Sequence, residues 1–513
     1  MARGDNMSVK INTATFSGIE GISITVEIDI SMGLPTFNIV GLADTSVKES
    51  KERVRAAIIN SGFEFPINRI TINLAPADIK KDGSLFDLPI AIGILAASKQ
   101  IYSEDIDKYL FIGELSLSGE IRKIRGALPI IIEGLKNDIK NFIIPTNNRV
   151  ECSIVKNSCI YPFDNLKQVI SFLENEDMLP ITINYSNEQE NNNSKFDFED
   201  VIGQESSKRA IEVAAAGGHN ILLWGPPGSG KSMLASRIPS ILPELDYEEA
   251  LEVTKIYSVS GNLKEEGLAK YRPFRNPHHT SSNISLIGGG RNLAPGEISL
   301  SHNGVLFLDE MLEFKKSVLE VLRQPLEDKI VKISRANGNI SYPANFMLVG
   351  ATNPCPCGFY ASNTKVCTCT DHEKKLYLSK LSGPLLDRID IFSFVTSLKY
   401  EEFNKKTKSE PSVSIKERIV KAREIQKSRY KNDKLCCNSQ MTGNQIDKYC
   451  KLDSQSNKLL KVVYTKYNLS NRAYNRLLKL SRTIADLDGR EDIQYSDVIE
   501  AIQYRKFINE NIV

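Results

Sequence analysis

No stretch of the 513 residues is apolar for long enough to cross a bilayer. The longest such run, LPIAIGILAAS from Leu88, falls well short of the roughly 18 residues a membrane helix needs. The opening MARGDNMSVKINTATF lacks the apolar core of a secretory signal. Charge of one sign is missing too: 65 Lys and Arg against 63 Asp and Glu leave +2, which alone neither favours nor excludes a polyanionic partner. Aromatics make up 8%, with one tryptophan. That residue, Trp224, sits in a strand before a Gly-rich loop and is poorly placed to stack on bases. There is no internal repeat. Nine cysteines, an odd number mostly without paired spacing, fit a reducing compartment, where thiols bind metal or fill cores. The expected location is the cytoplasm. Length and an ordinary balance of 41% hydrophobic and 25% charged residues call for two to four globular domains.

Composition divides the chain. The segment NYSNEQENNNSKFDFED from Asn184 has little that could enter a core and reads as a linker. A Lys-rich stretch with a proline, NKKTKSEPSVS from Asn404, reads as a second joint. The expected organisation is an N-terminal domain over 1–183, a linker over 184–196, a central α/β domain over 197–398 and a helical domain over 399–513. In the first, ISITVEIDI and RITINLA alternate as strands, while VKESKERVRAAIINSG and LPIAIGILAAS have the spacing and stop signals of helices. Four helical patterns follow the second joint. From Glu401 to Arg482 there are 20 Lys and Arg against 8 Asp and Glu, either a solvated helical face or a surface for a polyanion.

The central domain carries the chemistry. ILLWGPPGSGKSMLASRI is an apolar strand, a Gly-rich turn and a helix. Gly225, Pro226, Pro227, Gly228, Ser229, Gly230, Lys231 and Ser232 form a P-loop. Its amides and helix N-terminus surround the phosphates of ATP, Lys231 reaches the terminal ones and Ser232 ligates Mg²⁺. In GVLFLDEM a buried strand ends in two acids. Asp309 is expected to hold the Mg²⁺ through water, and Glu310 to orient the attacking water. A third apolar strand, NFMLVGATN, ends in Asn353, which could hydrogen-bond that water or the γ-phosphate. Arg388 and Arg472 follow in order and are candidates to stabilise charge on the phosphoryl oxygens in transfer.

Directly after Asn353, Cys355, Cys357, Cys367 and Cys369 form C-x-C-x9-C-x-C. Two thiolate pairs joined by a short loop can supply a tetrahedral, closed Zn²⁺ site; Asp371 or His372 could replace one thiol. Such a loop would gain its folding free energy from metal ligation.

Three segments, DVIGQESSKRAIEVAAAGGHNILLWGPPGSGKSM, FRNPHHTSSNISLIGGGRNLAPGEISLSHNGVLFLDE and FMLVGATNPCPCG with LSKLSGPLLDRIDI, resemble the YifB/ComM family. These are Mg-chelatase-like AAA+ ATPases with an insert in helix 2. The resemblance extends over nearly the whole chain. It implies that Asn353 is sensor 1, that Arg388 is a finger acting on a neighbouring subunit's nucleotide, and that Arg472 is sensor 2. It implies that the insert carries pore-facing elements, so that His278 and His279 take a positioning or pore role. The N-terminal domain resembles the Lon-protease-like, S5-type α+β fold. Leu85 and Pro129 stand where a peptidase would have its nucleophile and lysine, so a non-proteolytic role follows. The implied assembly is a homo-hexameric ring, because a site completed in trans needs a closed oligomer. The implied function is a DNA helicase or branch-migration motor, on branched or single-stranded DNA, in homologous recombination during natural transformation. Two alternatives stay open: a chelatase-type ATPase that remodels a protein partner, and an ATP-dependent peptidase.

Overall fold

A computed structural model describes residues 8–42, 44–81, 83–175, 178–181, 196–263, 267–290, 293–335, 338–360, 365–397, 409–433 and 435–505. The linker expected at 184–196 lies outside them except for Phe196, and the Lys-rich joint lies outside them up to Lys408. The chain forms two compact units, Met1–Glu188 with Ala250–Ala269, and Gln189–Glu249 with Lys270–Val513. No described helix is long and apolar enough to cross a membrane.

Period-two alternation builds the first unit. In the strand Glu20–Ser31, Ile24, Val26 and Ile28 are buried while the residues between them are partly exposed, the pattern of a sheet with one covered face. It pairs antiparallel with Val9–Ser17 on one side and Arg69–Ala75 on the other. The seven-stranded sheet runs Thr36–Val40, Arg69–Ala75, Glu20–Ser31, Val9–Ser17, Tyr109–Phe111, Asn141–Pro145, Cys159–Phe163. Helices Asp87–Ala97 and Ala127–Lys136 pack against its central strands. The first of these is buried almost throughout, including Asp87 at its start. That carboxylate is matched by Arg53, whose Nε donates to it at 2.7 Å.

In the second unit the strands are uniformly apolar because both faces of the sheet are covered. All four residues of Val305–Leu308 and all six of Met347–Thr352 are buried. Five parallel strands stand in the order Phe274–Arg275, Val305–Leu308, Met347–Thr352, Ile221–Trp224, Ile391–Phe394. The strand that comes first in the chain is thus flanked by the fourth and the fifth. Strand order reverses beside it, which opens a crevice at the carboxyl ends.

The helical end is part of the same core. Ile415, Ile419 and Ala422 of helix Ser412–Arg429 and Leu477, Leu480 and Ile484 of helix Asn471–Leu487 join Ala210, Val213 and Ile221 in one hydrophobic cluster. Asp390, just before the last strand, is a polar hub beside this core. It accepts from the backbone N–H of Asn220 at 3.1 Å and pairs with Arg476 of helix Asn471–Leu487. Burial opposes the charge on Asp390, but Arg476 and His219 hold its carboxyl far below the usual carboxylate range.

Candidate functional site

The Gly-rich loop leaves the central strand at Trp224 and enters helix Lys231–Ile241. Gly228 and Gly230 have φ of +72° and +93°, and a Cβ on either would meet nothing within 4 Å. These glycines are required by backbone conformation, and the space beside them is open. Lys231 Nζ donates to the carbonyls of Gly225 at 2.7 Å and Pro226 at 2.9 Å, and to Asn353 Oδ1 at 3.3 Å. Burial pulls its pKa down to about 8, against the opposing pull of Asp309 and Glu310. Ser232 Oγ donates to Asp309 Oδ2 at 2.7 Å. A hydroxyl and a carboxylate oxygen so placed are hard donors suited to Mg²⁺. The strand carrying Asn353 lies between the strands of the Gly-rich loop and of Asp309. The two acids, Lys231, Ser232 and Asn353 are therefore brought to one end of the sheet.

Glu310 adopts the left-handed conformation, φ +48°, and its side chain is 57% exposed. His279 Nδ1 lies 3.5 Å from Glu310 Oε2, and the two histidine rings are 4.1 Å apart. One histidine thus lies against the candidate water-orienting carboxylate. The resemblance implied a positioning or pore role for His278 and His279, and the pairing with Glu310 was not part of that expectation.

Arg388 and Arg472 come together on a single carboxylate. Arg388 pairs with Glu327 and donates to the carbonyl of Pro384 at 2.6 Å. Arg472 lies 3.5 Å from the other Glu327 oxygen. Both line a cavity of about 180 Å³ with Glu327, Arg476, Lys479 and Met441. The side chain of Arg388 is only 11% exposed, so within one chain it is folded inward rather than extended. Glu327 was not anticipated; a lone Glu in RQPLEDK carries no sequence signal.

The four thiols converge. The sulfurs of Cys355, Cys357, Cys367 and Cys369 all lie within 4.8 Å of one another. Asp371 and His372 are not in that group: Asp371 opens a helix and pairs with Lys374 at 3.0 Å. Backbone N–H groups, first that of Phe359, pull the Cys357 thiol down, whereas burial pushes Cys355 up. In the first unit, Ser84 Oγ bonds to Glu114 and Lys81 Nζ to the Pro76 carbonyl. Leu85 is buried, and Pro129 is buried within helix Ala127–Lys136.

The basic excess near the C-terminus divides in two. Arg418 pairs with Glu212 and Glu410, Arg429 and Arg482 with Asp486, Arg476 with Asp390, and Arg423 donates to the Ala215 carbonyl. These arginines hold the fold together. The exposed remainder is largely lysine, including Lys458, Lys461 and Lys466 on helix Ser454–Lys466.

Three family models match the chain in sequence. The family of magnesium chelatase, subunit ChlI, matches residues 197–403; that of subunit ChlI of Mg-chelatase matches 26–148; that of the ChlI C-terminal region matches 409–505. The protein YifB of Escherichia coli is 44% identical over 497 residues, and YifB of Salmonella typhimurium 42% over 496. Competence protein ComM of Haemophilus influenzae is 42% identical over 495 residues. Each of these alignments covers 96% of both chains.

Proposed function

The chain belongs to the YifB/ComM family of Mg-chelatase-like ATPases, and from that premise we propose that it is an ATP-hydrolysing hexameric ring motor. Its track is branched or single-stranded DNA, and its task is branch migration in homologous recombination during natural transformation, in the cytoplasm. The observation that carries the ATPase reading is the 2.7 Å contact of Ser232 with Asp309 beside Lys231 and Asn353.

Each residue has a part that follows from its chemistry. The Gly-rich loop would surround the phosphates with amides, and Lys231 would leave the carbonyls of Gly225 and Pro226 for the terminal oxygens. Ser232 and Asp309 would hold Mg²⁺, which supplies charge neutralisation to the phosphate oxygens. Glu310 would accept a hydrogen bond from the attacking water, and Asn353 would fix the geometry at the γ-phosphate. Arg388 and Arg472 share one carboxylate, which supports their acting as a pair on one phosphate group, that of a neighbouring subunit. The name of the Haemophilus relative supports a part in competence; for DNA, support comes from the exposed lysines of helix Ser454–Lys466, suited to phosphate contacts.

ATPase activity measured with forked and four-way DNA at low salt tests the whole. Stimulation that fades steeply with added salt is expected. ATP turnover indifferent to such DNA, with no binding, overturns the DNA assignment and moves remodelling of a protein partner ahead of it.

A further inference from the structure

The thiol cluster is built against the nucleotide pocket. About 2.3 Å per Zn–S bond places the sulfurs of a tetrahedral site about 3.8 Å apart. Here Cys355 and Cys357 are 3.4 Å apart, Cys357 and Cys367 3.6 Å, and Cys355 and Cys367 3.7 Å. All four are free thiols. Two backbone N–H groups already donate to sulfur, Tyr360 to Cys355 and Cys357 to Cys369, each at 3.4 Å.

Three contacts lead from this cluster to the ATP site. Gly358 closes the first thiol pair in a turn, its N–H bonded to the Cys355 carbonyl at 2.9 Å. At φ +83° it lies so near the Gly-rich loop that a Cβ would come within 2.7 Å of Pro227 Cγ and Cδ. Asn353, two residues before the first ligand, accepts from Lys231. Helix Asp371–Leu378, which begins two residues after the last ligand, returns through Tyr377, whose hydroxyl donates to Glu313 at 3.2 Å. Glu313 lies in the turn after Asp309 and Glu310. No disulfide ties the first thiol pair to the second.

We propose that Cys355, Cys357, Cys367 and Cys369 hold one Zn²⁺, and that this ion braces the Gly-rich loop through Gly358 and Pro227, so that metal occupancy sets the affinity for nucleotide. The ion is structural, because four thiolates leave no open position for substrate or water. The proposal rests on the nucleotide reading of the Gly-rich loop.

The test uses the full chain purified without air or chelator. Elemental analysis should give about one zinc per chain, and Co²⁺ replacement should give the absorption of a tetrahedral thiolate site. Nucleotide binding is followed by the fluorescence of Trp224, the one tryptophan, in the strand that feeds the loop. Zinc removal should weaken ATP binding about 10²-fold, the scale of an ångström-sized misplacement, with helical circular dichroism retained and zinc restoring affinity. Cys369→Ser should lose metal and affinity together. Gly358→Ala should keep the metal and still lose affinity, separating the brace from a general effect on folding. Protein that binds nucleotide without zinc, or whose affinity is unchanged on zinc removal or in Gly358→Ala, overturns the proposal. Protein that holds zinc and binds no nucleotide overturns instead the reading on which it rests.

Discussion

Lys231 sets how nucleotide binding responds to pH. In the free chain its ammonium is buried and its pKa is pulled down to about 8, while phosphate oxygens favour the charged form and raise it. Binding therefore takes up a proton wherever the free lysine has lost one. ATP affinity should be flat below pH 8 and weaken above it, approaching about tenfold per pH unit, as titration calorimetry at pH 7 and pH 9 would show. Lys231→Ala should abolish both binding and the pH effect. Glu310→Gln should bind ATP with near-normal affinity and turn it over about 10²–10⁴-fold more slowly, the usual worth of a positioned proton acceptor; phosphate release checks this. The residues of both predictions were legible in the sequence because a P-loop and an acid-ended strand are local patterns. The contact of His279 with Glu310 was not, since 31 residues separate them and no spacing rule links them.

At the scale of elements, apolar alternation announced the strands of the first unit, and unbroken apolar runs announced those of the second. What stayed hidden was partnership over distance. Ala250–Ala269 groups with the first unit although it lies beyond the Gly-rich loop in sequence. The basic excess looked like one surface, yet Arg418 is matched by Glu212, 206 residues away, a pairing no local count can detect. Asp390 joins three such elements. Asp390→Ala would leave the half-buried Arg476 without its partner and should cost about 1.5–3 kcal/mol, measured by urea unfolding. Because its folded-state pKa is depressed, the stabilisation from Asp390 is complete above the ordinary carboxylate range. It is lost only as pH falls through the depressed value, so the wild-type advantage over this variant should persist at neutral pH and shrink in strong acid.

For the whole molecule, catalysis completed in trans predicts that ATP turnover per chain falls on dilution, along with the ring population seen by sedimentation. Arg388→Ala and Lys231→Ala are each expected to be inactive alone. Mixed under conditions that reassemble rings, they should recover part of the wild-type rate, because one supplies an intact nucleotide pocket and the other an intact arginine. Mixtures as inactive as their parents would return Arg388 to a role within its own chain. The expectation of a ring rests on family resemblance alone, since one sequence holds no direct record of a symmetric neighbour.

Glu327 occupies Arg388 and Arg472 together, so within one chain neither guanidinium is left without a counter-charge. On the proposed function it would stand in for the phosphate that a neighbour brings, and neighbouring triphosphate would have to displace an anion already seated. A chain outside such a ring would idle with this latch closed, and Glu327→Gln should weaken the latch and lower the ATP concentration at which rings first form.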